Sequence, residues 1–486
     1  MPGVTITTAV RTGPTSTGIA PASTFFVVGQ TARGIDNAAV LVTSLEDYES
    51  KFGGHVTGHY TWYSLKTFFE EGGSNAYVGR VVDLDADSAF VSLPAPSAEP
   101  GIKLVAVGRG TWANEMDAVV VETGGVFSIS VTISGTEVYS GTGFTKISEA
   151  ISSINFSSTA KYYFTAELNP GADEDGILSD ASLPFASGED GTVAQADFIS
   201  TMSLFTEDLG AGAVAAPGVV TGTGDATLWN AMKAHCIAYN RIALCSFAQA
   251  TLPSAAVSAA EAYSGNEYMA FFYPWVKVPV NETGTVTVNI SPEGYVAAAR
   301  SRTHNSTGPW KAYAGLASEA NFVSDTVQAI SRSEGDTLEA AKINPLRVIN
   351  GRVRIYGARS MSSNLAQWRF ITHRETINYI VTQANTSLES LVFSNIDGRK
   401  TIYANIVNAL QSVMEPIRIA GGLYEGFAAD GRQIDYGYTI KVDDSLNPLS
   451  QLETGTVRAK LGVRVSGVGD KINVELIKSN LTTTLA

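Results

Sequence analysis

The amino-acid sequence predicts a mixed core domain of the α/β or α+β class, with an inserted, mostly-β domain and extended N- and C-terminal arms. Three observations support this prediction. Strand and helix patterns alternate over residues 23–82 and again after residue 195. The composition changes abruptly near residue 84, and both chain ends are polar and rich in threonine. A chain of 486 residues also exceeds what one hydrophobic core normally organises.

The first part of the core follows from hydrophobic periodicity. STFFVVG at 23–29 is a continuous apolar run ending in glycine, which is typical of a strand buried on both faces. Residues 60–73 space their aromatic side chains as a helix does and end in a glycine pair. AYVGRVV at 76–82 predicts another strand. The sequence therefore predicts a strand–helix–strand unit.

The same alternation resumes after residue 195. IALCSF at 242–247 predicts a buried strand, and helices are predicted at 292–303, 373–392 and 399–416. The last helix has an apolar stripe that consists of Ile402, Tyr403, Ile406, Val407, Leu410, Val413 and Met414. We assign residues 21–85 and 195–460 to one discontinuous core domain.

Residues 86–194 are predicted to form an inserted, acidic β domain that faces outward. Short strand patterns such as VFSISVTI are separated by glycine pairs. Residues 86–195 contain 14 acidic and four basic residues, a net charge of −10. The other 376 residues contain 33 acidic and 29 basic residues, a net charge of only −4. The acidity of the protein is thus concentrated in one solvated region.

The chain ends are predicted to be arms. Residues 1–20 combine a short alternating pattern, VTIT, with the linker-like RTGPTSTG. Residues 461–486 contain an alternating strand pattern, KINVELI, followed by a polar tail. Neither segment has enough apolar surface to hold itself in place alone.

Composition excludes several classes of function. The net charge of −14 argues against a nucleic-acid partner, because phosphate contacts require clustered lysine and arginine. No run approaches 18 apolar residues, so we expect no membrane insertion and no targeting segment. Two cysteines, Cys236 and Cys245, do not suggest a disulfide framework and agree with a reducing cytoplasm.

Local motifs give no positive support for catalysis. His55 and His59 have the i, i+4 spacing of half a zinc site, but no third ligand is close by in the sequence, and solvent-facing loop residues are the simpler interpretation. The acidic run at 173–175 lacks the remaining ligands of a calcium loop. GTGDAT at 222–227 lacks the third glycine of a dinucleotide fingerprint. We therefore predict no catalytic residue, no cofactor and no metal.

The stretch GRVRIYGARSM at 351–361 poses a different question. Val353 and Ile355 fall on one face of the predicted strand, whereas Arg352 and Arg354 fall on the other, and Arg359 follows. Such a face needs a partner other than a hydrophobic core. Acidic or carbonyl groups within the core, a neighbouring subunit and plain solvent are the alternatives.

The order of segments resembles that of contractile tail sheath proteins. TFFVVGQTARGIDNAAVLVTSLEDYESKFGG at 24–54, FFEEGGSNAYVGRVV at 68–82 and GPWKAYAG at 308–315 are similar to blocks of that family. INPLRVINGRVRIYGARSM at 343–361 and LNPLSQLETGTVRAKLGVRV at 446–465 are similar to two more. Tyr356 replaces the usual tryptophan, and residues 86–195 show no match.

The resemblance implies a self-assembling structural subunit. Hexameric rings would stack around a tail tube and contract to drive it through a bacterial envelope. Arms carrying Val4 and Ile6, or Ile472, Val474 and Leu476, would add strands to neighbouring subunits. Arg352, Arg354 and Arg359 would lie in a family motif and could make charge contacts between subunits.

The resemblance also implies partners and a location. The partners would be further copies of the chain, a tail tube protein, and baseplate and tail terminator proteins, in a virion tail assembled in the host cytoplasm. The tube-facing side chains would lie on the polar face of the helix at 399–416, which carries Asn405, Asn408, Gln411, Ser412 and Glu415. A non-contractile tube or surface-layer protein is the alternative, and a soluble enzyme is a further one.

Overall fold

A computed structural model describes residues 23–96, 100–219, 226–280 and 284–470. The first part of the chain forms the predicted strand–helix–strand unit. Its elements are β1 (Phe25–Gly29), β2 (Val40–Val42), α1 (Leu45–Phe52), α2 (Thr61–Glu70) and β3 (Ala76–Arg80). The side chain of Ser44 accepts a hydrogen bond from the Asp47 amide and so caps α1. The two predicted strands, β1 and β3, pair in parallel.

The described residues of 86–194 form two antiparallel sheets and one α-helix. The elements are β4 (Phe90–Pro94), β5 (Pro100–Ala106), β6 (Met116–Thr123), β7 (Val126–Ile133), β8 (Thr136–Phe144), α3 (Ile147–Asn155), β9 (Phe164–Leu168) and β10 (Ala181–Pro184). One sheet has the order β4–β5–β9 and the other β10–β6–β7–β8. Their apolar faces share one hydrophobic cluster with α3. The interpretation of this segment as an outward-facing domain stays a prediction.

Arginine side chains hold this segment against the first part of the chain. Arg109 Nε donates to the Asp36 carboxylate at 2.7 Å, and Arg80 donates to the Arg109 carbonyl at 2.8 Å. Arg33 donates to the hydroxyl of Tyr163 at 2.9 Å and lies 4.1 Å from the centroid of its ring. Burial lowers the pKa of Arg80 to about 10, although the Asp36 carboxylate opposes this shift. The segment is therefore joined to the sheet by charged contacts as well as by the chain itself.

The next part of the chain completes the central sheet. Its elements are α4 (Gln195–Met202), β11 (Ala213–Ala215), α5 (Thr227–Tyr239), β12 (Ile242–Ser246), α6 (Pro253–Ala262), β13 (Met269–Tyr273), β14 (Val276–Pro279), β15 (Thr287–Ile290), α7 (Glu293–Ser306), β16 (Asp325–Thr326), α8 (Arg332–Ala340), β17 (Ile343–Ile349) and β18 (Arg352–Ile355). Strands β14, β15 and β16 form a separate small sheet.

The central sheet has eight strands in the order β18–β17–β13–β12–β11–β1–β3–β2. The six inner strands are parallel, and the outer strands β2 and β18 pair antiparallel to their neighbours. Separate hydrophobic clusters cover its two faces. The sheet thus takes strands from both sides of residues 86–194. The expected mixture of helices and sheets is confirmed.

The last described part of the chain forms a C-terminal lobe, which we define as residues 401–466. It follows α9 (Leu365–Trp368) and α10 (Ile371–Glu389), and it contains α11 (Thr401–Ile419), β19 (Gly426–Phe427), β20 (Gln433–Asp435), β21 (Tyr438–Lys441), α12 (Leu449–Leu452) and β22 (Lys460–Val463). Helix α11 continues past the predicted end at 416 because Ile417 is buried against α10 and the lobe.

A buried carboxylate joins α2 to a distant loop. Glu71 has no exposed surface, and its two oxygens accept hydrogen bonds from the backbone N–H groups of residues 321–323 at 2.7–3.0 Å. Arg302 of α7 donates to the same carboxylate at 3.1 Å. Because the three backbone donors would lose this acceptor if the carboxylate were removed, Glu71 stabilises the contact between segments 250 residues apart.

We expect Glu71→Ala to lower the free energy of unfolding by about 3–5 kcal/mol, the usual cost of breaking a buried and hydrogen-bonded charge pair. Glu70→Ala is the matched control, since Glu70 is the exposed residue next to it. Urea unfolding followed by circular dichroism measures both variants. Equal losses in the two variants would show that the Glu71 contacts do not stabilise the fold.

Candidate assembly surfaces

Arg352 and Arg354 lie on β18, an outer strand of the central sheet, and Arg359 follows it. Strands β17 and β18 form a hairpin whose turn, Asn350-Gly351, has φ values of 53° and 76°. Both residues therefore occupy the left-handed region, as a two-residue hairpin turn of this kind requires. Val353 and Ile355 are fully buried, as their alternation predicted. The opposite face presents the arginine side chains.

Each of the three arginines finds a partner within the chain. Arg352 donates to the Ala320 carbonyl at 3.3 Å, and Arg354 Nε donates to the Glu319 carboxylate at 3.0 Å. Arg359 is different, because its side chain is only 6% exposed and its Nη2 contacts two carboxylates. The strand face thus meets acidic and carbonyl groups of the same subunit. A further contact of these arginines with a neighbouring subunit stays a prediction.

Helix α11 buries most of the predicted apolar stripe, although Val407 and Val413 are only half-buried, and it exposes a polar face. Ile402, Ile406, Leu410 and Met414 are buried in clusters shared with α10 and the strands of the lobe. Four of the predicted polar residues are exposed: Asn405, Asn408, Gln411 and Ser412. These four carry no charge, so the exposed face is polar and nearly neutral.

Glu415 differs from the other four residues of that face. It is half-buried and accepts hydrogen bonds from Arg418 Nε at 2.9 Å and from the Tyr438 hydroxyl at 2.5 Å. These bonds, that from Arg418 first, hold the pKa of Glu415 below its usual value. Arg418 also donates to Glu425 at 2.7 Å. Glu415 therefore links α11 to the strands of the lobe rather than standing free on its surface.

A two-stranded sheet covers one side of α11. In the antiparallel pair β21–β22, Tyr438 lies opposite Val463 and Ile440 opposite Leu461. These four side chains face the helices but remain only half-buried. Two strands alone are marginally stable, so this sheet depends on its helices. Among the residues that the structure describes, no strand pairs with the second edge of β21.

Sequence reasoning missed this sheet edge. The alternation of YTIK at 438–441, with Tyr438 and Ile440 on one face and Thr439 and Lys441 on the other, was the available signal. Lys441 and Lys460 lie directly opposite one another on the outer face, which keeps that face in water. Lysine at an edge strand also discourages indiscriminate pairing. Whether a further strand can pair at the free edge of β21 would therefore depend on the side chains of that strand.

The lobe also exposes a group of large apolar side chains. Near the hairpin β19–β20, Tyr424, Phe427, Ile434 and Tyr436 are 53–66% exposed. Arg418 lies 5.2 Å from the ring centroid of Tyr436, and Arg464 pairs with Asp435 at 3.0 Å. Exposed aromatic side chains beside arginines are typical of contact surfaces.

The predicted arm residues Val4, Ile6, Ile472, Val474 and Leu476 lie outside the described residues. The last residue described at the C-terminal end is Asp470, whose carboxylate contacts Arg359 at 2.6 Å. The first described residue is Ser23, directly before β1. The described chain thus begins directly before β1, an inner strand of the central sheet, and ends beside Arg359, which follows β18.

The candidate chemical residues are placed as follows. His55 is exposed and its ring packs against Trp62 and Tyr63, while burial lowers the pKa of His59. Within the described ranges, no three His, Cys, Asp or Glu side chains are grouped to hold a metal ion. In the same ranges, no helix has both the length and the apolar character of a membrane span.

The two cysteines are core residues. Cys236 is fully buried and Cys245 is 3% exposed, and both are free thiols. Burial raises the pKa of both thiols well above the usual value. A thiol that stays protonated is a poor nucleophile.

No protein-family model and no curated protein matches the chain. Solved structures do. The sheath tail protein from Listeria innocua has a TM-score of 0.61 at 12% identity, over 88% of this chain and 90% of that one. A chain of the anti-feeding prophage helical sheath in its contracted state has a TM-score of 0.54 at 15% identity, over 98% and 99%.

A third structure gives the same result at nearly full length. The sheath complex of the extracellular contractile injection system PVC, in its contracted state, contains a chain with a TM-score of 0.52 at 14% identity, and the match covers 99% of this chain and 98% of that one. The match includes the central sheet, residues 86–194 and the C-terminal lobe. The chain has the fold of contractile tail sheath proteins, which the resemblance of its sequence segments predicted.

Proposed function

We propose that this chain is the structural subunit of a contractile sheath. The observation that carries the proposal is the nearly end-to-end likeness to chains of assembled, contracted sheaths. In this proposal, hexameric rings of the protein stack around a tail tube in a virion tail or a related injection device. The partners are further copies of the chain, the tube protein, and baseplate and tail terminator proteins. Assembly takes place in the bacterial cytoplasm before the device drives its tube through an envelope.

Energy for contraction would come from new contacts between subunits rather than from a bound nucleotide. The charged contacts within each subunit support this view. Arg300 and Glu375 form an ion pair whose side chains are 3% and 1% exposed, and separating them would leave the guanidinium of Arg300 without this counter-charge in the core. The subunit would therefore move as a rigid body, and its rearrangement would take place at the surfaces that join it to others.

The free edge of β21 is the proposed acceptor for an arm of another subunit. Strand addition there forms backbone hydrogen bonds and also covers the half-buried face of Tyr438 and Ile440. Each added hydrogen bond contributes about 0.5–1.5 kcal/mol, so a strand of several residues forms a stable joint. The alternating apolar residues of the arms, Val4 and Ile6 or Ile472, Val474 and Leu476, suit this role.

The exposed face of α11 is the proposed contact with the tube. Its four uncharged polar residues can make hydrogen bonds to a partner and can return to water at little cost. A large apolar face would bind the tube more permanently. Residues 86–194 are proposed to form an inserted domain on the outer side of the sheath, where their net negative charge favours repulsion between assembled particles.

Negative-stain microscopy of the purified protein tests the proposal directly. We expect wide, hollow, ridged cylinders from the full chain. Deletion of residues 1–18 should leave a folded subunit that forms no long cylinders, because the arm has little to bury within its own chain. Circular dichroism controls for folding. Narrow smooth tubes would favour a non-contractile assembly, discrete particles would favour an enzyme, and normal cylinders after deletion would exclude the arm as a joint.

Charge added to the exposed face of α11 should weaken attachment to the tube. We expect the double variant Asn408→Glu, Gln411→Glu to fold normally but to form extended sheath on tubes at a much lower yield. The reason is that two carboxylates must lose water in a contact that now offers them no cation. The matched control is Asn385→Glu on α10, which is exposed on the neighbouring helix. Co-assembly with tube protein, scored by microscopy, would reject the assignment if the double variant matched the wild type.

Thiol labelling tests both proposed orientations in one assembly. Phe156 is 90% exposed in the acidic segment, and Asn408 is exposed on α11, whereas the native thiols are buried. We expect Phe156→Cys to react with maleimide equally fast before and after assembly on tubes. Asn408→Cys should slow by about tenfold or more on assembly, because a covered thiol cannot be reached. The reverse pattern would place the acidic segment inside and α11 outside.

A further inference from the structure

The chain leaves the C-terminal lobe along a short connection to the central domain, by which we mean the eight-stranded sheet and the helices that cover it. Ser466 is held on the lobe, where its backbone N–H donates to the Gly422 carbonyl at 3.1 Å and its hydroxyl to the Gly421 carbonyl at 2.8 Å. Four residues later, the Asp470 carboxylate meets Arg359 at 2.6 Å. Four residues span at most about 14 Å. Residues 466–470 therefore connect the C-terminal lobe to Arg359, beside the central sheet, immediately before residue 471.

The binding site for Asp470 consists of two arginines on an aromatic ring. The guanidinium groups of Arg359 and Arg369 lie 4.9 Å and 5.6 Å from the ring centroid of Phe370. Arg369 adds a longer contact of 3.6 Å to the same Asp470 oxygen. Arg359 also donates to Glu339 of α8 at 2.5 Å. The buried Arg359 is thus shared between the carboxylate of Glu339 in α8 and the carboxylate of Asp470.

We propose that Arg359 is a positioning residue for the C-terminal arm. Its contact with Asp470, which we call the latch, fixes the point on the central domain from which residues 471–486 depart. This contact can also open. The inference rests on the proposed sheath function, in which that arm joins neighbouring subunits.

Glu339 makes the latch releasable. If Asp470 departs, Arg359 keeps its bond to Glu339, so no buried charge is left without a counter-charge. Asp470 itself is 30% exposed, and water can solvate it on release. Gly467 and Gly469 have open space around them, which lets the connection change direction without collision. The contact can therefore open without disturbing the core on either side.

Fixing the root changes how efficiently the arm finds its acceptor. With Asp470 held, the arm starts from one point on the central domain. Without that contact the last point of attachment of the described chain is Ser466, four residues earlier, so the tether that carries the arm is longer. Effective concentration falls steeply as a tether lengthens, so loss of the latch weakens every joint in the assembly together.

Carboxyl footprinting of the unassembled subunit tests the latch without altering Asp470. Arg359→Lys keeps a cation beside Glu339 but lacks the planar fork that reaches two carboxylates at once. We expect carbodiimide labelling of Asp470 to be slow in the wild type and about tenfold faster in this variant, as for the loss of one charge-assisted hydrogen bond. Arg369→Gln should give a smaller increase. Asp444, which is 66% exposed beside Lys400, serves as the internal reference and should not change.

Two results would overturn the latch at this stage. One is labelling of Asp470 as fast as that of Asp444 in the wild type. The other is an unchanged Asp470 rate in a folded Arg359→Lys variant. Neither measurement requires cylinders to form, so both remain decisive even if the proposed sheath function is wrong.

Assembly then tests the positioning role. We expect Asp470→Asn to raise the protein concentration needed for cylinder formation by about tenfold, which corresponds to 1.4 kcal/mol. Asp470→Glu should restore most of the loss, and Asp444→Asn should behave as the wild type. Wild-type protein without cylinders would refute the sheath function rather than the latch. Cylinders from Asp470→Asn at the wild-type concentration would refute the positioning role.

Discussion

A mostly parallel sheet of eight strands must be covered on both faces, and this requirement organises the rest of the molecule. Parallel strands need long crossover connections, and here these connections place helices on both sides. The antiparallel outer strands β2 and β18 end the sheet, and β18 carries the arginine face where burial is no longer complete. Residues 86–194 leave the sheet after β3 and return before α4 with a hydrophobic cluster of their own. Large additions to the chain can therefore be accommodated without repacking the sheet.

The few buried charges join segments that are distant in sequence. Burial raises the pKa of Glu375, but Arg300 and His304 outweigh it and leave that pKa lowered. By contrast, burial dominates at Glu293, whose pKa is raised although Ser246 donates a hydrogen bond to it. Glu375 of α10 thus forms an ion pair with Arg300 of α7. Glu293 instead acts as a buried polar group that is hydrogen-bonded to Ser246 of β12. In a chain with only 16% charged residues, such contacts are concentrated where elements must be held in one arrangement.

The sequence predicted best what depends on local periodicity. Strands at 25–29, 76–80 and 242–246 and the apolar stripe of α11 follow from neighbouring residues alone. The arginine face could be predicted from alternation, but its partners could not. Arg359 meets Glu339 from 20 residues away and Asp470 from 111 residues away, and no pattern in the sequence connects them.

Glu415 shows the same limit on the candidate surface. Helical spacing places it on one face with Asn408 and Ser412, but Tyr438, 23 residues further on, reaches it with its hydroxyl. The face of a helix can be predicted from spacing, whereas its exposure depends on which strand the fold lays beside it. Tyr438 belongs to β21. The position of this strand therefore determines both which part of α11 is exposed and where the free sheet edge lies.

The contacts of the subunit fall into two classes that differ in what their rupture costs. Glu71 and the Arg300–Glu375 pair are fully buried, and opening either would leave donors or charges without partners in an apolar surrounding. The contacts at the periphery are different: the Asp470 carboxylate has access to water, and the four exposed residues of α11 are uncharged. In the proposed sheath this division would be useful, because energy released between subunits would move them and not unfold them. The contacts that cost little free energy to break lie at the surfaces where an assembly would rearrange. The contacts that cost much lie inside the subunit, which would move as one unit.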